Sequence, residues 1–284
     1  MEGSMKHPGS SESKGRKILA DTMTSGEMAA HRARNGIVLL PVGCFEMHGP
    51  LVGMSCDSFL AEAACRVVAE EWDAIIMPTI HYTYPGATGT WPGTVCVLPR
   101  DALDYAVAVT KAIVLNGFKR VVLVSLHGPN DFVLSAAIRT IFEDTGQIPI
   151  LFIPAYEEFC RRVEQELGQP HAEAAGYLAS LYICGRHGDF DPATEEGEAV
   201  PRTVPFESLR LLSRHGVRTP YRFVRPQDHV GRLAGMTLDD APRLAELYRE
   251  TILDRAKGLP EDYEKFQADT WQAVEDAPWE TWFK

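Results

Sequence analysis

The sequence predicts an α/β fold, a single three-layer α/β/α domain built on a mainly parallel sheet. Three observations lead to this prediction. Four short runs recur along the chain that are continuously apolar rather than alternating, as strands buried on both faces are. Amphipathic stretches of helical length separate these runs. The chain of 284 residues is also long enough to form one large core.

The predicted elements follow one another in a regular order. The stretch TSGEMAAHRARNG indicates a first helix, with Thr24 or Ser25 as its cap and Gly36 just past its end. Strands are predicted at residues 37–43, 74–80, 120–126 and 148–155, and further helices at residues 57–72, 102–117, 131–144, 157–167, 171–183 and 239–258. Residues 1–17 are predicted to be a disordered arm or a cloning remnant, so the domain spans residues 18–284.

Composition excludes several classes of protein. With 39 acidic and 28 basic residues the net charge is −11, which disfavours contact with phosphate backbones, so we expect no nucleic-acid partner. The six cysteines form no C-x-x-C pair, which argues against a disulfide framework or a zinc ribbon and fits a reducing cytoplasm. No apolar run approaches the roughly 18–20 residues of a membrane span. The expected partner is a small-molecule substrate.

Polar side chains follow two of the predicted strands. Glu46, His48 and Asp57 come after the first strand, and His127 follows the third. Because parallel strands end at the same edge of a sheet, these four residues should converge there, and two carboxylates with two imidazoles suit Zn²⁺, Mn²⁺ or Fe²⁺. The alternatives are ordinary ones: a hydrogen-bonded loop histidine, and Asp57 as a helix cap. Residue chemistry alone leaves both interpretations open.

Four motifs, in this order, shift the balance: LPVGCFEMHGP with a later Asp, YPGATGTWPGT, GFKRVVLVSLHGPN and HAEAAGYLAS. Together they resemble the creatininase family of metal-dependent amidohydrolases over about residues 38–180. The resemblance implies a dinuclear site in which Glu46 binds one ion, His48 binds the other, Asp57 bridges them and His127 joins Glu46. It also implies Zn or Mn, with Fe as a further option, at one or two ions per subunit, and a homohexamer.

The chain departs from the family pattern at three positions. Leu51 replaces a common histidine, and Pro129 and Gly176 stand at the two places where family members carry the last metal-binding carboxylate. Glu173, one helical turn before Gly176, is the predicted substitute ligand and a predicted catalytic residue; the alternative is a solvated glutamate in a first helical turn. His171 is the second predicted catalytic residue: the resemblance implies a general acid that helps to protonate the leaving nitrogen, and the alternative is a solvated histidine at the helix start beside Pro170. Without Glu173 the site would hold a single ion.

The stretch HYTYPGATGTWPGT lacks periodicity and is long for a connection, as functional loops often are. We predict that it forms the substrate wall, with Tyr82, Tyr84, Thr90 and Trp91 as substrate-binding residues. Trp91 is equally suited to a core or subunit contact.

Three functions remain in view. The first is a metal-dependent hydrolase acting on a C–N bond of a small cyclic amide or formamide, with creatinine itself disfavoured by the altered positions. The second, of the 3-dehydro-scyllo-inosose hydrolase type, is a ring-opening hydrolase of a cyclic keto-sugar or keto-inositol. The third is a non-catalytic binding protein that kept the fold.

Overall fold

The computed structural model describes residues 16–49, 52–168, 173–190, 203–230 and 236–276. Within these residues, four strands form one parallel sheet in the order β2-β1-β3-β4. The strands are β1 (Ile37–Pro41), β2 (Ile75–Ile76), β3 (Arg120–Val124) and β4 (Ile150–Phe152). They are shorter than predicted because regular pairing ends before each apolar run does; past β1, for example, Val42 forms only an isolated parallel bridge with Ile80.

Helices cover both faces of the sheet, which confirms the predicted three-layer fold. In the described parts of the chain they are α1 (Ser25–Arg34), α2 (Cys56–Glu71), α3 (Pro99–Leu115), α4 (Asn130–Thr145), α5 (Tyr156–Leu167), α6 (Glu173–Ile183), α7 (Glu207–Arg214), α8 (Ala241–Ala256) and α9 (Leu259–Glu275). Leu39 of β1 packs into the core with α2, α6 and α8, whereas Val38 and Leu40 pack into the core with α3 and α4. Side chains that alternate along β1 thus pack into two apolar layers, one on each face of the sheet.

The sequence does not predict α7 or α9. Helix α9 follows Gly258, which has a positive φ, and packs near the strand starts. There the Tyr263 hydroxyl donates to the Ile148 carbonyl at 2.5 Å, and Gln267 Nε2 donates to the Lys119 carbonyl at 2.7 Å. These two side chains satisfy backbone acceptors at the amino end of the sheet, so α9 lies at the end opposite the polar cluster.

The junction between β1 and α2 sets the position of Asp57. The sequence predicts Asp57 or Ser58 as the cap of this helix, and that is wrong: α2 begins at Cys56, and Asp57 lies inside its first turn. Gly43 makes the close approach possible, because a Cβ at that position would collide with the backbone of Ser58. The carboxylate of Asp57 is buried and directed toward the strand ends instead of capping the helix.

At the start of the described chain, Arg16 is tied to the fold. Its guanidinium donates to the Ala69 carbonyl at 2.8 Å and pairs with Asp73 at 2.6 Å. Leu19 then forms a parallel bridge with Ile76 on the outer side of β2. No helix in the described part of the chain combines the length and apolarity needed to cross a bilayer.

Candidate metal centre

Glu46, Asp57 and His127 meet at the carboxyl ends of β1 and β3. His127 Nδ1 lies 3.1 Å from Glu46 Oε1 and 3.0 Å from Asp57 Oδ2. The three residues are only 1%, 5% and 5% exposed, in that order. Charged groups are rarely buried to this degree unless they are paired or bind a metal. The adjacency predicted from the strand ends is therefore present in the fold.

His48 lies on the other side of the Asp57 carboxylate. Its Nε2 is 3.4 Å from Asp57 Oδ1, and its Nδ1 is 3.1 Å from the Glu46 carbonyl oxygen. Because that carbonyl can only accept, Nδ1 carries the proton and Nε2 presents its lone pair to Asp57 in the neutral ring. Asp57 thus has one oxygen toward each histidine, the arrangement that a bridging carboxylate needs.

The electrostatics of the cluster favour a cation. Burial lowers the pKa of His48, but the carboxylate of Asp57 outweighs it and raises that pKa to about 9. The pKa of His127 is likewise raised well above its ordinary value, with Asp57 and Glu46 overcoming the effect of burial. Burial raises the pKa of Asp57, and the two histidines reverse this and bring it below its ordinary range. In the metal-free protein, protons on the histidines supply the positive charge that a divalent ion would replace.

The loop formed by residues 81–94 orients two of these side chains. The Tyr84 carbonyl lies 2.9 Å from His127 Nε2, so Nε2 donates to it and Nδ1 is left to face the carboxylates. The hydroxyl of Thr88 donates to Glu46 Oε2. Metal-binding histidines and carboxylates in proteins are typically held by partners of this kind. The donors present therefore fit a divalent metal ion, with Glu46, Asp57, His48 and His127 able to hold it.

Replacing Thr88 with valine is expected to weaken metal binding by about 10- to 100-fold, because Glu46 then loses the donor that fixes its second oxygen. Thr90→Val is the matched control, since Thr90 is exposed and lies in the same loop. Titration with Zn²⁺ against a chelating dye measures both variants. Equal affinities in the two would show that the Thr88 contact does not orient Glu46.

The four predicted substrate-binding residues belong to the same loop. Tyr82 is about half exposed and lies beside the Phe45 ring, and the Tyr84 ring meets Phe132 edge-on. Thr90 is exposed, and Trp91 donates its indole hydrogen to the Phe223 carbonyl at 3.3 Å. That contact holds a later segment of the chain against the loop, and substrate binding by these four residues stays a prediction.

Two of the positions that depart from the family pattern, 129 and 176, lie in tightly packed surroundings. Pro129 lies against Gly86, where a Cβ would come within 2.9 Å of the Pro129 ring. A Cβ at Gly176 would lie 2.7 Å from the hydroxyl oxygen of Tyr156, so the tyrosine occupies the space that a longer side chain at 176 would need. Burial, and then the nearby charge of Glu173, raises the pKa of Tyr156 well above its ordinary value.

Glu173 begins α6 and contributes to the field at His48, but it lies outside both groups of potential ligands found among the described residues. Its role as a ligand or catalytic residue stays a prediction. His171 and Leu51 lie outside the described residues.

Two residues that the sequence analysis did not select join the cluster. Cys44 is fully buried and groups with Glu46, Asp57 and His127, whose ligand atoms all lie within 4.8 Å of one another. His229 groups in the same way with Glu46 and His48. The two-residue spacing of Cys44 and Glu46 in extended chain was a usable signal for the first. No local pattern marks His229.

Parallel sheets bind ligands at the carboxyl ends of their strands, and the buried histidines and carboxylates found there are donors that suit the divalent ion of a metal-dependent hydrolase. The creatininase family profile, described as creatinine amidohydrolase, matches residues 21–218. The chain belongs to the creatininase family.

Comparisons with individual proteins agree with this membership. The chain is 31% identical over 137 residues to a 3-dehydro-scyllo-inosose hydrolase of Thermotoga maritima, covering 48% of this chain and 43% of that protein. It is 29% identical over 129 residues to a creatinine amidohydrolase of Pseudomonas putida, covering 43% and 50%. It is 31% identical over 122 residues to a mycofactocin precursor peptide peptidase of Mycolicibacterium smegmatis, covering 40% and 49%. The matches span about half the length of these relatives or less.

Solved structures extend the similarity to most of the fold. A crystal structure of creatinine amidohydrolase superposes with a TM-score of 0.66 at 19% identity, covering 86% of this chain and 98% of that one. A mutant creatininase described as the Zn-Zn type gives a TM-score of 0.64 at 18% identity, covering 85% and 98%. At these identities the superpositions show a common fold.

Proposed function

We propose that this chain is a metal-dependent hydrolase that cleaves a C–N bond of a small cyclic amide or formamide. The observation that carries the proposal is the buried convergence of Glu46, Asp57 and His127, with His48 beside Asp57. A divalent ion bound by such residues lowers the pKa of water to about 7 and polarises a carbonyl, which is the chemistry that amide hydrolysis needs. The residues themselves hold the ion, orient one another and exclude bulk water.

The donor set supports zinc over manganese. Imidazole and carboxylate ligands suit both ions, but a thiol is a soft donor that suits Zn²⁺ and not Mn²⁺. Cys44 lies in the same buried group as Glu46, Asp57 and His127, and its pKa is raised by burial, with His127 acting in the opposite direction. Proximity of this thiol to a cation would favour its thiolate form.

A cavity of about 990 Å³ near the metal centre has room for a small polar substrate, and none of the four candidate ligands lines it. It opens at the carboxyl ends of β3 and β4, with Leu126 and Gly128 on its wall and Glu173 at the start of α6. Arginine and acidic side chains line its outer part: Arg161, Arg162, Arg255, Glu157, Glu158 and Asp254. The leaving nitrogen requires a proton, and His171 remains the predicted donor.

A ring-opening hydrolase of a keto-inositol is the second candidate, favoured by the 31% identity to a relative named for that activity. Creatinine is a weaker candidate because positions 51, 129 and 176 depart from the creatininase pattern. The binding-protein alternative predicts that the purified protein holds no Zn, Mn or Fe and takes none up on dialysis.

A substrate panel separates these functions. The zinc-loaded protein is expected to hydrolyse a cyclic amide or a formamidopyrimidine, to lose that activity with a chelator, and to regain it with Zn²⁺. Creatinine, 3-dehydro-scyllo-inosose and a short peptide complete the panel. Turnover of the ketone alone would replace the proposal with the ring-opening function, and a protein that is inactive on every member and takes up no Zn, Mn or Fe on dialysis would favour the binding protein.

A further inference from the structure

We infer that His229 is a metal ligand that completes a second ion position together with His48 and the carboxylates of Glu46 and Asp57. The inference rests on the proposed function, because it assumes that the buried cluster binds divalent metal. It supplies the donor that the family pattern leaves missing at Pro129 and Gly176, and it assigns that donor to a segment outside the matched family region of residues 21–218.

The geometry places His229 with Glu46 and His48, in a group of potential ligands that does not include His127. The Nε2 of His229 lies 3.8 Å from Glu46 Oε1, and its ring centroid lies 4.7 Å from that of His48. The ligand atoms of Glu46, His48 and His229 all lie within 4.8 Å of one another. A metal ion about 2.0–2.2 Å from nitrogen and oxygen ligands fits among atoms spaced in this way.

The donors divide naturally between two ions. His127 lies with Glu46 and Asp57 Oδ2, whereas Asp57 Oδ1 faces His48. Glu46 contributes to both groups. With carboxylates between the two positions, two imidazoles are available for the second ion, and N/O ligand sets of this kind suit a divalent transition metal.

The segment carrying His229 is built to hold that position. The ring of Phe223 stacks on the His229 imidazole, with centroids 5.1 Å apart and planes inclined by 18°. The Phe223 N–H donates to the Ala87 carbonyl at 3.2 Å, and its carbonyl accepts from Trp91. Val230 is buried, and its Cβ lies 3.6 Å from the place where Gly49 would carry a Cβ, next to His48.

Asp228 fixes the turn immediately before the histidine. One carboxylate oxygen accepts from the backbone N–H groups of Val224 and Arg225, at 3.0 and 2.9 Å, and the other accepts from the Thr203 hydroxyl at 2.7 Å. The side chain of His229 is only 14% exposed. The Asp228 contacts therefore fix the backbone next to a largely buried histidine.

Metal stoichiometry of the full chain tests the inference. Wild type, His229→Gln, Glu173→Gln and the control His215→Gln are each saturated with Mn²⁺, and the bound ions are counted by elemental analysis. His215 is exposed at the end of α7, so His215→Gln makes the same chemical change away from the cluster. Circular dichroism and melting curves confirm that each variant is folded. Electron paramagnetic resonance distinguishes a coupled pair of Mn²⁺ ions from an isolated one.

We expect two coupled ions in the wild type and His215→Gln proteins, and one uncoupled ion in His229→Gln, with affinity for the second ion reduced at least about 100-fold. Two ions retained in His229→Gln would overturn the inference, as would a single ion in the wild type. Loss of the second ion in Glu173→Gln alone would transfer the role to Glu173. A wild-type protein that binds neither Mn²⁺ nor Zn²⁺ would instead overturn the proposed function.

Discussion

Asp57→Asn is expected to abolish tight metal binding and to reduce turnover by at least about a thousand-fold, more than the 10- to 100-fold that loss of an orienting partner costs. The two carboxylate oxygens of Asp57 face His48 Nε2 at 3.4 Å and His127 Nδ1 at 3.0 Å. An amide of the same shape keeps one acceptor oxygen but loses the negative charge and one of the two oxygens that face the histidines. Either ion position would then lack its shared ligand.

Asp131→Asn is the matched control for that substitution. Asp131 occupies the first turn of α4, as Asp57 occupies the first turn of α2, but its side chain is exposed. Elemental analysis and isothermal titration with Zn²⁺ measure both variants, and melting curves check folding. An Asp57→Asn protein that binds zinc as the control does would contradict a role for this carboxylate in the site.

Metal affinity is expected to fall steeply with acidity, by about tenfold per pH unit for each histidine that must lose a proton to bind the ion. The pKa of His48 is raised to about 9 and that of His127 is also raised, chiefly by Asp57 acting against burial. Both rings are therefore protonated at pH 7 in the metal-free protein. Binding displaces those protons, so affinity should rise from pH 6 up to about pH 9.

The same raised histidine pKa values give the stability of the metal-free protein the opposite dependence on pH. The ordinary pKa of histidine is about 6.5, so the stability that comes from protonated His48 is present below pH 6.5 and is lost as pH rises through 9. Melting temperatures of the metal-free and zinc-loaded proteins between pH 6 and 9.5 should diverge. Proton release on zinc binding, measured in buffers of different ionisation enthalpy, checks the number of protons that the histidines lose. Zinc affinity that does not change over this range would contradict protonated histidines in the cluster.

Much of the fold and the first half of the site could be predicted from local patterns. Continuous apolar runs specify buried parallel strands, and the carboxyl ends of such strands meet at one edge, so the proximity of Glu46 and His127 follows from the strand pattern alone. The end of β1 could not be predicted, because burial does not stop where the strand stops: Val42 and Cys44 are fully buried beyond β1.

Other features depend on contacts that leave no local trace. Helix α7 is short and has no buried residue. Helix α9 begins at Leu259, directly after Gly258, where the Gly-Leu-Pro sequence suggests the end of a helix and not its start. Tyr263 and Gln267 hold α9 in place. The Tyr156 side chain of α5 fills the space beside Gly176 of α6, so this contact links two helices. His229 reaches the cluster only because Phe223 and Val230 dock onto loops that are distant in sequence. Tertiary packing, not propensity, decides each of these.

Anomalous diffraction from crystals soaked with Zn²⁺ tests the central claim most directly. Data collected above and below the zinc edge are expected to show a peak bounded by Glu46, Asp57 and His127, and a second between His48 and His229. A crystal saturated with zinc that shows no peak within reach of Asp57 would contradict the account, and would leave the buried carboxylates and imidazoles as an internal network of protonated pairs.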